Sequence, residues 1–231
     1  MTRRLLMIAL ACCFFVSTLR AQEPKRGKQL PSLYLIGDSI SMQYTYELSK
    51  DLQGHYKFER KNGPETPSLD IPGGSNGGDS RMVLGYLKQK YADPNFHPDI
   101  LLVNAGLHDI KRNPKTNEIV ITPEKYAQNL ADIDSLAREH HAKLIWINTT
   151  PINDARHNKP GMGFFRYNAD VQQYNKIAQT VLGDKGVSII DLYSFTVSHD
   201  ADAHRVDHAH YDKAMQILQG DYIAASLLHA Q

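Results

Sequence analysis

Short apolar runs alternate along the chain with longer segments of helical character. Strands buried on both faces are predicted at 33–36, 100–103, 144–147 and 187–190, with a weaker strand at 56–59. Helices are predicted at about 41–52, 80–91, 123–140, 168–182 and 211–229. Parallel strands joined by helical crossovers produce this alternation, so the pattern predicts an α/β fold, a three-layer α/β/α sandwich around a mostly parallel five-stranded sheet.

Two connections are long for a compact domain. Residues 61–79 are rich in Gly and Pro, and residues 149–167 contain Phe164, Phe165 and Tyr167. Connections of this length often carry function, and aromatic rings in such a loop can stack on sugar rings. The alternative is that these rings fill a small core under the loop.

The first residues have the pattern of an export signal. Arg3 and Arg4 precede an apolar run at 5–19, and a cut after Ala21 fits the residues that follow. This predicts a signal peptide at 1–21, a polar linker at 22–30 and one domain at 31–231, exported to the periplasm or outside the cell. A membrane anchor is the alternative; after cleavage, no stable membrane insertion is expected.

Composition limits the chemistry and the partners. Both cysteines, Cys12 and Cys13, lie in the predicted signal peptide, so the mature domain is expected to use neither a disulfide nor a thiol nucleophile. The chain has 26 Lys and Arg against 25 Asp and Glu, which gives no basic field for nucleic acid. The expected partner is a small-molecule ester or an acylated glycan, and no feature indicates an oligomeric state.

Gly37-Asp38-Ser39-Ile40 directly follows the first predicted strand and precedes a helix. The carboxyl ends of parallel strands form the ligand crevice of an open sheet, and backbone N–H groups surround a serine at a helix start. Ser39 is therefore a candidate nucleophile. A plain turn with a helix cap is the alternative.

Asp207-His208-Ala209-His210 lies between the last strand and the last helix. An aspartate three residues before a histidine can orient the imidazole across one local turn. His210 is thus a candidate base for Ser39, with Asp207 as its partner. A solvated polar loop is the alternative.

Two further strand ends offer oxyanion donors. Gly77-Gly78-Asp79-Ser80 places glycine N–H groups near the crevice, and His108 follows the third strand with a side chain that can donate one hydrogen bond. The ring is expected to be neutral and held by Asp109 or a nearby carbonyl. The alternatives are a flexible turn and a packing role at a helix start.

The four segments together resemble the SGNH (GDSL-type) hydrolase family from about residue 32 to the last helix. The matching blocks are Gly37-Asp38-Ser39-Ile40, Gly78-Asp79-Ser80, Gly106-Leu107-His108-Asp109 and Asp207-x-x-His210. The resemblance implies a flavodoxin-like sandwich, no metal or other cofactor, and a triad of Ser39, His210 and Asp207. It also implies an oxyanion hole made by the N–H groups of Ser39 and Gly78 and the side chain at 108, where His108 replaces the family's asparagine.

The predicted activity is hydrolysis of an ester, and the first candidate substrate is an O-acetyl ester on a carbohydrate. One alternative is a lipase or thioesterase of the same family, and another is a glycan-binding module without activity. A metal-dependent hydrolase is a third, because possible ligands crowd one region: His199, Asp200, Asp202, His204, Asp207, His208 and His210. No familiar zinc spacing is present there.

Overall fold

The computed structural model describes residues 29–64 and 66–229. The predicted signal peptide at 1–21 and most of the linker at 22–30 lie outside this part of the chain. Among the helices that the structure describes, none is long and apolar enough to cross a membrane.

Five strands form one sheet in which every neighbouring pair is parallel. They are β1 (Ser32–Ile36), β2 (Lys57–Arg60), β3 (Ile100–Val103), β4 (Lys143–Ile147) and β5 (Ser188–Ile190). Their spatial order is β2-β1-β3-β4-β5, with Leu33 opposite Ile100 in the central pair. The predicted strands and their parallel arrangement are confirmed, with shifts of one residue at several ends.

The helices cover both faces of the sheet. They are α1 (Ser39–Asp51), α2 (Ser80–Tyr91), α3 (Pro123–Glu139), α4 (Asp154–His157), α5 (Asn168–Val181), α6 (Leu192–Ser198) and α7 (Lys213–His229), with a 3₁₀ turn at Gly183–Lys185. α1 and α6 pack on α7, and α3 packs between α2 and α5. The predicted three-layer sandwich is confirmed. The prediction lacked α4 and α6, because four and seven residues are too few for a clear helical period.

The sheet supplies the centre of the core. Leu35, Ile36 and Trp146 are fully buried between the two helical layers. The chain leaves β1 and β3, which are neighbours, at the point where the strand order reverses, and connections there open a crevice at the carboxyl ends of the strands. The segments that begin with Gly37 and Asn104 therefore start side by side.

Candidate active site

Ser39 stands at the junction of β1 and α1 and is 1% exposed. Asp38 caps the helix, since its Oδ1 accepts the N–H of Ile40 at 3.0 Å. At Gly37 a Cβ would come within 2.8 Å of Ser41 Cβ, so a larger residue would force α1 away from β1. Ser39 is the first helical residue, and the helix provides no acceptor for its N–H. The junction thus presents a hydroxyl and an N–H together.

His210 links Ser39 to Asp207. His210 Nε2 lies 2.9 Å from Ser39 Oγ, and His210 Nδ1 lies 2.7 Å from Asp207 Oδ2. Because an ionised carboxylate can only accept, Nδ1 carries the ring proton and Nε2 can accept the serine proton. Burial raises the pKa of Asp207, but hydrogen bonds from the N–H groups of His210 and Ala209 and from the ring outweigh burial and hold that pKa below its ordinary value. The three residues form one hydrogen-bonded chain.

The other acids and histidines near 199–212 turn to separate partners. His204 pairs with Asp212 at 3.0 Å, and His208 pairs with Asp70 at 3.2 Å. Within 29–64 and 66–229, three potential ligand atoms come together only on α1 and α7, at Glu47, Asp51 and Asp221. The geometry therefore gives no support to a metal centre among residues 199–210.

Asn76 connects the remaining oxyanion candidates. Gly78, with φ of +75°, turns its N–H onto Asn76 Oδ1 at 2.8 Å, while Asn76 Nδ2 donates to the Leu69 carbonyl at 2.6 Å. These two bonds fix the amide orientation, so the second N–H of Asn76 faces His108 Nε2, 3.4 Å away. His108 Nε2 is then the acceptor, and Nδ1 carries the proton. The Gly78 N–H, which the sequence predicts as an oxyanion donor, donates to Asn76 in this structure.

Burial holds the pKa of His108 well below its ordinary value, and the charges of Lys111 and Arg166 lower it further, so the ring is neutral, as expected. Asp109, one of the two partners expected for the ring, bonds Ser80 instead. Asp109 accepts the Ser80 N–H at 3.0 Å and the Ser80 hydroxyl, and burial raises its pKa to about 7. Asp109 thus joins the start of α2 to the turn that carries His108.

A second ionic network adjoins the triad. Arg166 is fully buried; its Nε donates to the Leu107 carbonyl at 2.6 Å, and its Nη2 lies 3.4 Å from Asp70 Oδ1. Asp70 also holds His208, whose ring centre is 6.2 Å from that of His210. Neither Arg166 nor Asp70 belongs to a recognisable motif. The one signal for Arg166 is its position inside the aromatic run at 164–167.

Of the three aromatic residues predicted to meet a sugar, Phe164 borders the site. Its ring centre is 6.5 Å from that of His208. Phe165 instead exchanges backbone hydrogen bonds with Arg112 at 2.8 and 2.9 Å, and Tyr167 leads into α5. Phe165 and Tyr167 therefore have structural roles in the loop.

Basic side chains at the end of β2 hold the glycine-rich loop in place. Arg60 Nη2 donates to the Ser75 carbonyl at 2.7 Å, and Lys61 Nζ donates to the Asn76 carbonyl at 3.2 Å. These bonds secure the backbone that carries Asn76 and Gly78. The described part of this loop that carries Asn76 and Gly78 is therefore held against the end of β2.

Known proteins resemble this chain over most of its length. The profile of the GDSL-like lipase/acylhydrolase family matches residues 35–217. A lipase/acylhydrolase from Enterococcus faecalis has 17% sequence identity and a TM-score of 0.66, over 87% of this chain and 97% of that chain. No match was found among curated proteins.

Two further solved structures share the fold. The acetyl xylan esterase AlAXEase has 13% identity and a TM-score of 0.63, over 85% of this chain and 99% of that chain. A GDSL-like lipase from Bacteroides thetaiotaomicron has 14% identity and a TM-score of 0.63, over 87% of this chain and 89% of that chain. At such identities the likeness shows the fold alone.

Proposed function

Because the chain belongs to the GDSL-like lipase/acylhydrolase family, we propose that it is a serine esterase and that its substrate is an O-acetyl ester on a carbohydrate. The observation that carries the proposal is the unbroken chain of hydrogen bonds from Asp207 through His210 to Ser39, at 2.7 and 2.9 Å. The base lies within hydrogen-bond reach of both the nucleophile and the orienting acid, as nucleophilic catalysis requires.

In the proposed reaction, Ser39 Oγ attacks the ester carbonyl while His210 Nε2 takes the hydroxyl proton. The Asp207 carboxylate stabilises the imidazolium that forms. The alcohol leaves with the proton from His210, and an acetyl-serine remains. Water, deprotonated by His210, then attacks this ester and releases acetate, which restores Ser39.

The negative charge on the carbonyl oxygen needs donors aimed at the crevice. The Ser39 N–H at the start of α1 is one, and the His108 Nδ1–H is the second in this proposal. Asn76 determines which nitrogen of His108 can donate, because its amide N–H faces Nε2 and leaves the ring proton on Nδ1. With Gly78 N–H held by Asn76, this hole has two donors rather than the three expected.

The carbohydrate part of the proposal rests on the walls of the crevice. The Phe164 ring lies beside His208, and the charged groups of Lys111 and Arg166 lie over it, so the wall combines an aromatic ring with polar groups. Export, which the sequence of residues 1–21 predicts, would bring the enzyme to glycans outside the cytoplasm.

A lipase of the same family is the second candidate. It is favoured by three partly exposed apolar side chains on the loop at 61–79 and the start of α2: Leu69, Ile71 and Met82. A series of aryl esters from acetate to octanoate separates the two. The acetylesterase proposal requires kcat/KM to fall as the acyl chain lengthens, and a rise would favour the lipase.

The mechanism is tested by Ser39→Ala, with Ser49→Ala on the same helix as the matched control. Turnover of an aryl acetate should fall by roughly 10⁴-fold or more in Ser39→Ala, since only the nucleophilic oxygen is removed. Ser49→Ala should keep wild-type turnover, because its hydroxyl only bonds the Tyr46 carbonyl. Acetate release from a panel of acetylated glycans then tests the substrate class. Wild-type rates in Ser39→Ala would refute the mechanism.

A further inference from the structure

Lys111 carries a positive charge beside the site without a carboxylate partner. Its Nζ lies 4.2 Å above the centre of the Phe164 ring, and its one hydrogen bond in the described structure is a long contact, 3.4 Å, to the Asp70 carbonyl. Among the residues described, no carboxylate lies within ion-pair distance of this ammonium group. Since the side chain is half-buried, water screens the charge only in part.

The nearest acid cannot neutralise this charge, because it is already shared. One oxygen of Asp70 faces the buried guanidinium of Arg166, and the other lies 3.2 Å from His208 Nε2. Burial, and next the charge of Arg166, lower the pKa of Lys111 to about 8. The ammonium form still dominates at pH 7, so this wall keeps an excess of positive charge. A bound anion would remove that excess.

Lys111 and Phe164 also line a cavity of about 860 Å³. Its other charged lining residues are Arg112, which Asp170 holds at 2.7 and 2.8 Å, and Lys115 and Glu118. The ring centres of His210 and His208 are 6.2 Å apart, and those of His208 and Phe164 are 6.5 Å apart, so the cavity begins two side chains away from the base.

We propose that this cavity binds the carboxylate of an acidic sugar, with Lys111 as the counter-charge and Phe164 as part of the cavity wall. The substrate class is then an acetylated glycan that contains uronic acid. The inference deepens the proposed function and rests on it for the identity of the substrate. The binding site itself is a separate claim, and it can be measured without turnover.

The test uses two oligosaccharides that differ at carbon 6, an α-1,4-linked trimer of galacturonate and the corresponding trimer of galactose. Calorimetric titration of the full protein measures both Kd values, and inhibition of aryl acetate hydrolysis reports whether the bound trimer blocks the triad. The variants are Lys111→Met and Lys111→Arg. The matched control is Lys88→Met, which makes the same change in net charge on the exposed face of α2, outside the cavity.

Wild type and Lys88→Met should bind the acidic trimer about tenfold more tightly than the neutral one, as expected for one charged hydrogen bond in a half-buried site. Lys111→Met should bring the ratio close to one, whereas Lys111→Arg should keep most of it. High salt should reduce the ratio in wild type.

Equal affinities for the two trimers in wild type, or a ratio that Lys111→Met leaves unchanged, would overturn the proposal. So would a preference of wild type for an aryl hemisuccinate over an aryl acetate that Lys111→Met abolishes, because the anion would then lie on the acyl side. The two proposals fail separately. Selective binding of the acidic trimer without any ester hydrolysis would refute the esterase and retain the anion site, while hydrolysis without selective binding would do the reverse.

Discussion

The side chain at position 108 provides the sharpest test of how the site works. His108 is 3% exposed, its ring is neutral, and Asn76 occupies Nε2 from 3.4 Å, which leaves the Nδ1–H as the donor that we propose for the oxyanion. His108→Ala removes this donor. His108→Phe removes it as well but retains a ring of similar size, and His108→Asn replaces it with an amide donor.

The magnitude follows from the number of donors. With Gly78 N–H bound to Asn76, the proposed hole has two donors, so the loss of His108 removes half of it. One such donor is worth about 10²–10³ in kcat, or ~2.7–4 kcal/mol of transition-state stabilisation. KM should change little, because the oxyanion forms only during the reaction. Both His108→Ala and His108→Phe also leave one Asn76 N–H without an acceptor, at a cost of about 1–3 kcal/mol in stability.

The assay measures kcat and KM on an aryl acetate, well below the melting temperature of every variant, at pH 6.5 and pH 8. Ala and Phe variants should lose the same large factor in kcat at both pH values, since His108 does not titrate in this range. His108→Asn should recover much of the loss. If His108→Phe retained kcat within a few-fold of wild type, the ring would have a packing role and the donor assignment would be refuted.

Three other predictions concern neighbouring residues. His210→Ala should be as inactive on aryl acetate as Ser39→Ala. His204→Ala, which removes only the partner of Asp212 just before α7, should stay within a few-fold of wild type; the reverse order would mean that the base is misassigned. Burial, and then a neighbouring guanidinium charge, lower the pKa of His157 to about 4, so the unfolded chain binds more protons below about pH 6.5 and stability falls as the pH drops. Urea unfolding measures the free energy of unfolding at pH 7.5 and at pH 5. The decrease between the two pH values should be about 1–2 kcal/mol smaller in His157→Gln than in wild type. Equal decreases would contradict the lowered pKa of His157. Gly106→Ala would place a Cβ 2.0 Å from Thr149 Oγ1 and should lower the free energy of unfolding by about 1–3 kcal/mol. Adding Thr149→Ala should restore part of this loss. A melting temperature equal to that of wild type would show that the backbone moves there at little cost.

The sequence predicts the sheet from short-range patterns, and the resemblance of its motifs to a known family implies the triad. Apolar runs of four or five residues identify strands buried on both faces, and helical segments between them require parallel crossovers. Every parallel strand ends at the same edge, so residues just after β1 and just before α7 had to meet there. Asp207 and His210 are three residues apart, and one local turn is enough to join them. The short helices α4 and α6 escaped prediction since they are shorter than two helical turns.

Only the tertiary structure decides which partner each buried polar group takes. His108 could have met Asp109 beside it, yet it meets Asn76, 32 residues away, while Asp109 turns to Ser80, 29 residues away. Arg166 and Asp70 are separated by 96 residues. A buried donor or acceptor requires a hydrogen-bond partner, and the sequence contains several residues that could provide it. The choice among them depends on how loops 61–79 and 149–167 pack over the edge of the sheet, which no local pattern of apolar and polar residues contains.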